Sequence, residues 1–149
     1  MYSRAHAAIS LLVASALVLT RDAVVAGEPT LHPALAMAYG VALGVLIDLD
    51  HFALAWMLSG SLAPLRRVLK APWIVVTDPG SIFETADLGP YHRLISHVVI
   101  AGVLVPVIWL AVDPFVGLLS AGVLYAHLLA DLIADLRTFE TIPRDERRS

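Results

Sequence analysis

Nineteen consecutive residues, Leu94–Val112, contain a single ionisable side chain, His97. Few folds accept such a run. A helix crossing the roughly 30 Å core of a bilayer needs about 20 mainly apolar residues. Three more blocks come close. Ala5–Thr20 is broken by Arg21-Asp22. Ala34–Ile47 meets Asp48, Asp50 and His51 and resumes as Phe52–Leu58. Pro114–Leu136 is interrupted by His127, Asp131 and Asp135. None shows the continuous polar face of a soluble amphipathic helix. Composition agrees: 58% of the residues are apolar and 15% charged, against roughly 45–50% and 25% in average soluble domains. Mean hydropathy is +0.79. The alternative of a soluble, very apolar all-α domain fits these unbroken runs poorly.

The reading is an all-α integral membrane bundle forming one domain over residues 1–149. Its four transmembrane helices lie at about 5–26, 34–58, 93–112 and 114–136, with a loop at 59–92 and a polar tail at 137–149. Gly27-Glu28-Pro29 and Asp113-Pro114 supply tight turns, and Asp78-Pro79-Gly80 and Gly89-Pro90 punctuate the loop. Pro114 suits a first helical turn. Leu62–Val76 mixes Arg66, Arg67 and Lys70 with Leu65, Val68, Leu69 and Trp73, the pattern of a segment lying on a membrane surface. Arg4, the apolar run after it and Val24-Val25-Ala26 also admit a cleaved signal peptide over residues 1–26, although Arg21-Asp22 would sit unusually near the cleavage point. Without cysteine, disulfides and thiolate chemistry are excluded. The basic residues form only short pairs, so nucleic-acid binding is not expected.

Four crossings place the N-terminus, the long loop and the tail on one side. That side holds Arg4, Arg66, Arg67, Lys70, Arg93, Arg137, Arg144, Arg147 and Arg148. The other holds Arg21. The positive-inside rule predicts both termini in the cytoplasm, in a multi-pass protein of the inner membrane.

Ionisable groups inside a membrane are costly, so each is a functional candidate. At 1.5 Å per residue, Asp48 lies about 21 Å from the outer start of its helix and His127 about 18 Å into its own. His6, His51, His92 and His97 reach the same cytoplasmic level, and His32 alone falls on the outer side. Asp48 and His51 are i,i+3 neighbours; His127 and Asp131 are i,i+4 neighbours. Asp50 points away from this face unless the helix loosens. Imidazole and carboxylate without thiolate suit zinc, manganese or iron. The surplus over the four ligands of one tetrahedral zinc predicts either two ions or one ion with a general base. Simpler readings stand beside these. His6 can be an interfacial histidine, Asp50 a cap, Arg93 a snorkelling residue rather than an anion clamp, and the cluster a buried hydrogen-bond network. Ser96 reads as a hydrogen-bond partner, Asp135 as the partner of a tail arginine, and Trp56, Trp73 and Trp109 as interface or packing residues.

Three strings stand out in order: Ile47-Asp48-Leu49-Asp50-His51, His92-Arg93-Leu94-Ile95-Ser96-His97, and His127-Leu128-Leu129-Ala130-Asp131. With His6 ahead of them, they resemble the membrane-bound metal-dependent hydrolases, some named as LexA-binding, inner-membrane-associated hydrolases. The likeness covers roughly residues 5–135. It implies metal ligands among His6, Asp48, Asp50, His51, His92, His97, His127 and Asp131, with Arg93 and Ser96 in the second string. The sequence departs from that pattern at Ile47, where a proline is common, at Leu94 in place of a glycine, and at Ser96 in place of a threonine. A Thr-Pro-Gly stretch after the last string is missing.

The expectation is a metal-dependent hydrolase. His6, Asp48, His51, His97, His127 and Asp131 bind one or two divalent ions, zinc foremost. Asp50 or His92 carries the proton, and Arg93 holds the anionic part of a phosphoester or lipid substrate. The alternatives are a non-enzymatic protein that binds or moves metal ions or protons, and a purely structural metal. Membrane lipids are expected partners, and self-association suits helices that bury so little.

Overall fold

The computed structural model describes residues 3–24, 31–83 and 90–141. Among these the chain is all helical. Helix α1 spans Ser3–Leu19, α2 Arg21–Val24, α3 Pro33–Leu46 and α4 Asp50–Ser59; a 3-10 turn over Ile47–Leu49 joins α3 to α4. The short α5 (Ala63–Lys70) and α6 (Ile74–Thr77) and a 3-10 turn at Pro79–Ser81 make up the loop. Then α7 (Pro90–Ala111) and α8 (Pro114–Thr141) complete the chain. The expected turn at Gly27-Glu28-Pro29 lies outside the described residues, as do Gly89 and tail residues 142–149.

Three helical stretches are long and apolar enough to cross a membrane: Pro33–Ser59, Tyr91–Ala111 and Pro114–Arg137. The expected first span is shorter. Its regular helix stops at Leu19, where the Thr20 hydroxyl as well as its N–H bonds the Ala16 carbonyl, and restarts at Arg21. Seventeen residues of α1 reach about 25 Å. Helix α8 outlasts its apolar block and stays helical to Thr141, because beyond the apolar block its backbone bonds are still met internally.

One i,i+4 stripe on each of three helices builds the core. On α1 the stripe is His6, Ser10, Ala14. On α3 it is Ala36, Gly40, Gly44, continuing to Asp48. On α8 it is Phe115, Leu119, Val123, His127, Asp131. All are buried except Asp48 and Asp131, which are partly exposed. Small residues let α1 and α3 approach closely: a Cβ on Gly40 would come 2.8 Å from that of Ala14, and one on Gly44 would fall on Ser10. Such small-residue seams are how helices associate where no hydrophobic force drives them together. The stripes run from apolar at one end to ionisable at the other, so packing alone brings His6, Asp48, His127 and Asp131 to one level.

The cluster Ala14, Ala36, Phe115, Leu119 and Val123 fills the far half, with Tyr39 bonded to Ser120 at 2.7 Å beside it. At that end the Arg21 guanidinium lies over the Phe115 ring, a cation–π contact. His32 caps α3, accepting from the Ala34 N–H, with Pro33 in the first turn. Asp113 likewise caps α8 through Val116 N–H, and Pro114 follows it as expected.

The outward faces are apolar. Helix α7 exposes Val98, Val99, Val103, Val107 and Leu110, and α4 exposes Trp56 and Met57. Patches on this scale are foreign to water-soluble monomers and ordinary against lipid. The loop segment expected at a membrane surface forms α5, whose exposed Leu65 and Leu69, with Leu62 and Trp73 at its flanks, lie beside Arg66 and Lys70. Arg67 then donates to the Ile82 carbonyl at 2.9 Å. This ties the loop back so that buried Ile82 and then Phe83 reach the ionisable end of the bundle.

Candidate metal centre

The break between α3 and α4 sets the first string. At Ile47–Leu49 the bonding tightens to a 3-10 turn, with the Asp50 N–H reaching the Ile47 carbonyl. Residues i and i+3 eclipse in such a turn, which lines Asp48 up with His51. Asp50 joins the site through this tightened turn, not through the loosened helix expected from the sequence: its Oδ1 lies 3.5 Å from His51 Nε2 and 3.3 Å from His97 Nε2. Phe83 meets the His51 ring edge-on, centroids 5.9 Å apart, and walls that side.

Helix α7 presents the second string. His97 is only 2% exposed. Ser96 Oγ hydrogen-bonds Asp50 Oδ2 and the Arg93 carbonyl, fixing the carboxylate so that Oδ1 faces the histidines. Arg93 Nη2 pairs with Asp135 Oδ1 at 2.9 Å, both partly exposed at the rim. Among the described residues the partner of Asp135 is Arg93; the tail arginines Arg144, Arg147 and Arg148 lie outside them.

Helix α8 supplies His127 and Asp131, and α1 backs them with His6. His127 Nδ1 lies 2.9 Å from the Gly44 carbonyl. A carbonyl only accepts, so Nδ1 carries the hydrogen. In the neutral ring Nε2 is then a lone pair, aimed at Asp48 Oδ1 (3.3 Å) and Asp131 Oδ2 (3.4 Å). His6 stacks on His127 with centroids 3.9 Å apart, and its Nε2 sits 3.1 Å from Asp131 Oδ1.

Lone pairs facing carboxylates repel unless a cation lies between them. Neither contact has hydrogen-bond alignment, and His127 Nε2 is buried without a hydrogen-bond partner. The same holds for His6 Nδ1, His51 Nε2 and His97 Nδ1. Native interiors seldom leave buried polar atoms unmatched. Further separations are 3.7 Å from Asp48 Oδ1 to His97 Nε2 and 3.8 Å from Asp131 Oδ2 to His97 Nδ1. Ligands held about 2.0–2.1 Å from a tetrahedral ion stand about 3.3 Å from one another. The observed spacings run from that edge length to slightly wider. Two sets of ligand atoms each lie within 4.8 Å of one another: Asp48, His97, His127, Asp131, and Asp50, His51, His97. The residues present fit a divalent metal.

Of the residues nominated from sequence, Asp48, Asp50, His51, His97, His127 and Asp131 converge, with His6 behind Asp131. Arg93 stands at the rim. His92 is exposed on α7 and outside both ligand sets. Two supporting groups had no sequence signal of their own. The Gly44 carbonyl is a backbone atom, and Phe83 lies in a loop whose return is set by Arg67.

No family model, curated protein or solved structure matches the chain.

Proposed function

We propose that the chain is a four-pass inner-membrane protein that hydrolyses an ester, a phosphoester or a lipid, at a metal site open to the cytoplasm. The resemblance of its three strings to membrane-bound metal-dependent hydrolases belongs to this proposal. One observation carries it: the buried, unpartnered Nε2 of His127, its tautomer fixed by Gly44, faces two carboxylates. Three carboxylates and three imidazoles so placed call for a divalent cation, zinc by donor set with manganese or iron as substitutes. In this reading α1, continued by α2, makes the fourth crossing.

A bound divalent ion lowers the pKa of water and polarises a phosphoryl oxygen. The simplest scheme uses one ion held by Asp48, His97, His127 and Asp131. Asp50, oriented by Ser96, takes the proton of the attacking water. The water oxygen bonds to phosphorus, the ester P–O bond breaks, and the proton returns to the leaving oxygen. Arg93 meets the anionic group, which takes the place of Asp135 on its guanidinium fork. His92, being exposed, serves at most to pass protons to solvent.

The competing reading, a carrier of metal ions or protons, needs polar groups through both halves of the membrane. Ala14, Leu119 and Val123 are fully buried one to two turns beyond the cluster and close the seam. This supports a one-sided site.

Metal analysis of the purified chain beside His127→Ala and Asp48→Asn tests the proposal. Wild type should carry divalent metal, both variants should carry less of it, and wild type should cleave phosphomonoester, phosphodiester or phospholipid probes in a metal-dependent way. Metal-free wild type, or variants with full metal content, would sink the site; full metal without turnover on any probe would favour the binding protein.

A further inference from the structure

We infer that the cluster is built for two adjacent divalent ions, with the Asp48 carboxylate lying between them. This rests on the metal reading above and turns Asp50 from proton carrier into ligand.

Asp48, His127 and Asp131 surround one position, and Asp50 and His51 flank another. His97 belongs to both sets, with Nε2 towards Asp50 and Nδ1 towards Asp131. A neutral imidazole has one lone pair, so His97 serves one ion through one nitrogen. Nε2 alone of its contacts has hydrogen-bond geometry, to Asp50 Oδ1. With Nε2–H donating there, buried Nδ1 is left bare for the first ion. Asp48 Oδ1 is the atom common to the two halves: 3.3 Å from His127 Nε2, 3.7 Å from His97 Nε2 and 3.9 Å from His51 Nε2. Its position is that of a shared ligand rather than a terminal one.

Unmet groups say the same. A single ion on the first set would leave His51 Nε2 buried and unpartnered against Asp50 and Asp48. His51 Nε2 stands 3.5 Å from Asp50 Oδ1 and 3.9 Å from Asp48 Oδ1 and forms a hydrogen bond with neither. The charge balance also calls for a second ion. Asp48, Asp50 and Asp131 bring three negative charges into a mostly buried site, while the rim cation Arg93 is engaged by Asp135. One divalent ion leaves a carboxylate uncompensated at membrane depth, which is costly. Two ions cover all three and leave net positive charge, suited to an anionic phosphoester held in line between paired metals.

The full-length chain in detergent, loaded with zinc or manganese, tests this by ion count and by electron paramagnetic resonance of the manganese form. Wild type should bind two ions per chain, and its manganese spectrum should be that of an exchange-coupled pair. His51→Gln and His127→Gln should each fall from two ions to one and show the isolated-ion spectrum. Asp48→Asn should lose the coupling. One ion per wild-type chain, or two without coupling, overturns the paired site and leaves the metal reading intact. No ion in the wild type overturns both. The wild-type count and spectrum decide the matter even if a variant fails to fold.

Discussion

Gly44 does two things that no side chain could do together. Its missing Cβ lets α1 sit against α3 at Ser10, and its carbonyl fixes the His127 tautomer. Gly44→Ala should therefore cost about 1–3 kcal/mol of stability as overpacking and weaken metal binding by displacing the carbonyl. Removing the obstacle in the double variant Gly44→Ala/Ser10→Gly should restore much of both, as thermal unfolding and metal titration in detergent would show. If the double variant is no better than the single, the seam is not the cause. His6 offers a second measurement at this scale. It touches Asp131 and stacks on His127 but lies outside both ligand sets. Outer partners of this sort are worth about 10–100-fold in metal affinity. His6→Ala should lose that much and keep its ion count; loss of a whole ion would make His6 a ligand.

At the scale of helices, the fate of α1 can be measured directly. Residues 3–19 supply His6 and one side of the Gly40–Gly44 seam. Cleavage near residue 26 would remove both. Mass and N-terminal sequence of the membrane-extracted protein should find His6 retained, and a mature chain starting near Gly27 would contradict this architecture. The same scale shows what could be read in advance. His127 and Asp131 share a face by the period of the helix, and the depth of Asp48 follows from rise per residue, so their convergence was legible. The break at Ile47–Leu49 was not, because no glycine or proline marks it and only packing reveals the tightened turn. Nor was the Arg93–Asp135 pair, which depends on how α7 and α8 lie together 42 positions apart in sequence. Close approach there begins at the turn, where a Cβ on Gly117 would meet the Trp109 backbone at 2.8 Å.

For the whole molecule, the chain is suited to a direct test of the orientation proposed for it in the membrane. It has no cysteine, so one introduced thiol reports alone. With the four crossings proposed, nine of ten basic residues fall on the side of the long loop, which the positive-inside rule then assigns to the cytoplasm. The ionisable end of the bundle is on that side too, since α3 and α8 run towards it and α1 and α7 leave from it. Val112 and Lys70 are both exposed, one at the turn between α7 and α8 and the other at the end of α5. In intact cells a membrane-impermeant maleimide should label Val112→Cys and spare Lys70→Cys until the membrane is opened. The reverse pattern would put the metal site outside and remove cytoplasmic phosphoesters from consideration. Labelling of both positions in intact cells would mean that the crossings do not alternate as four spans require, and α1 would then be the helix to doubt, being the shortest of the four.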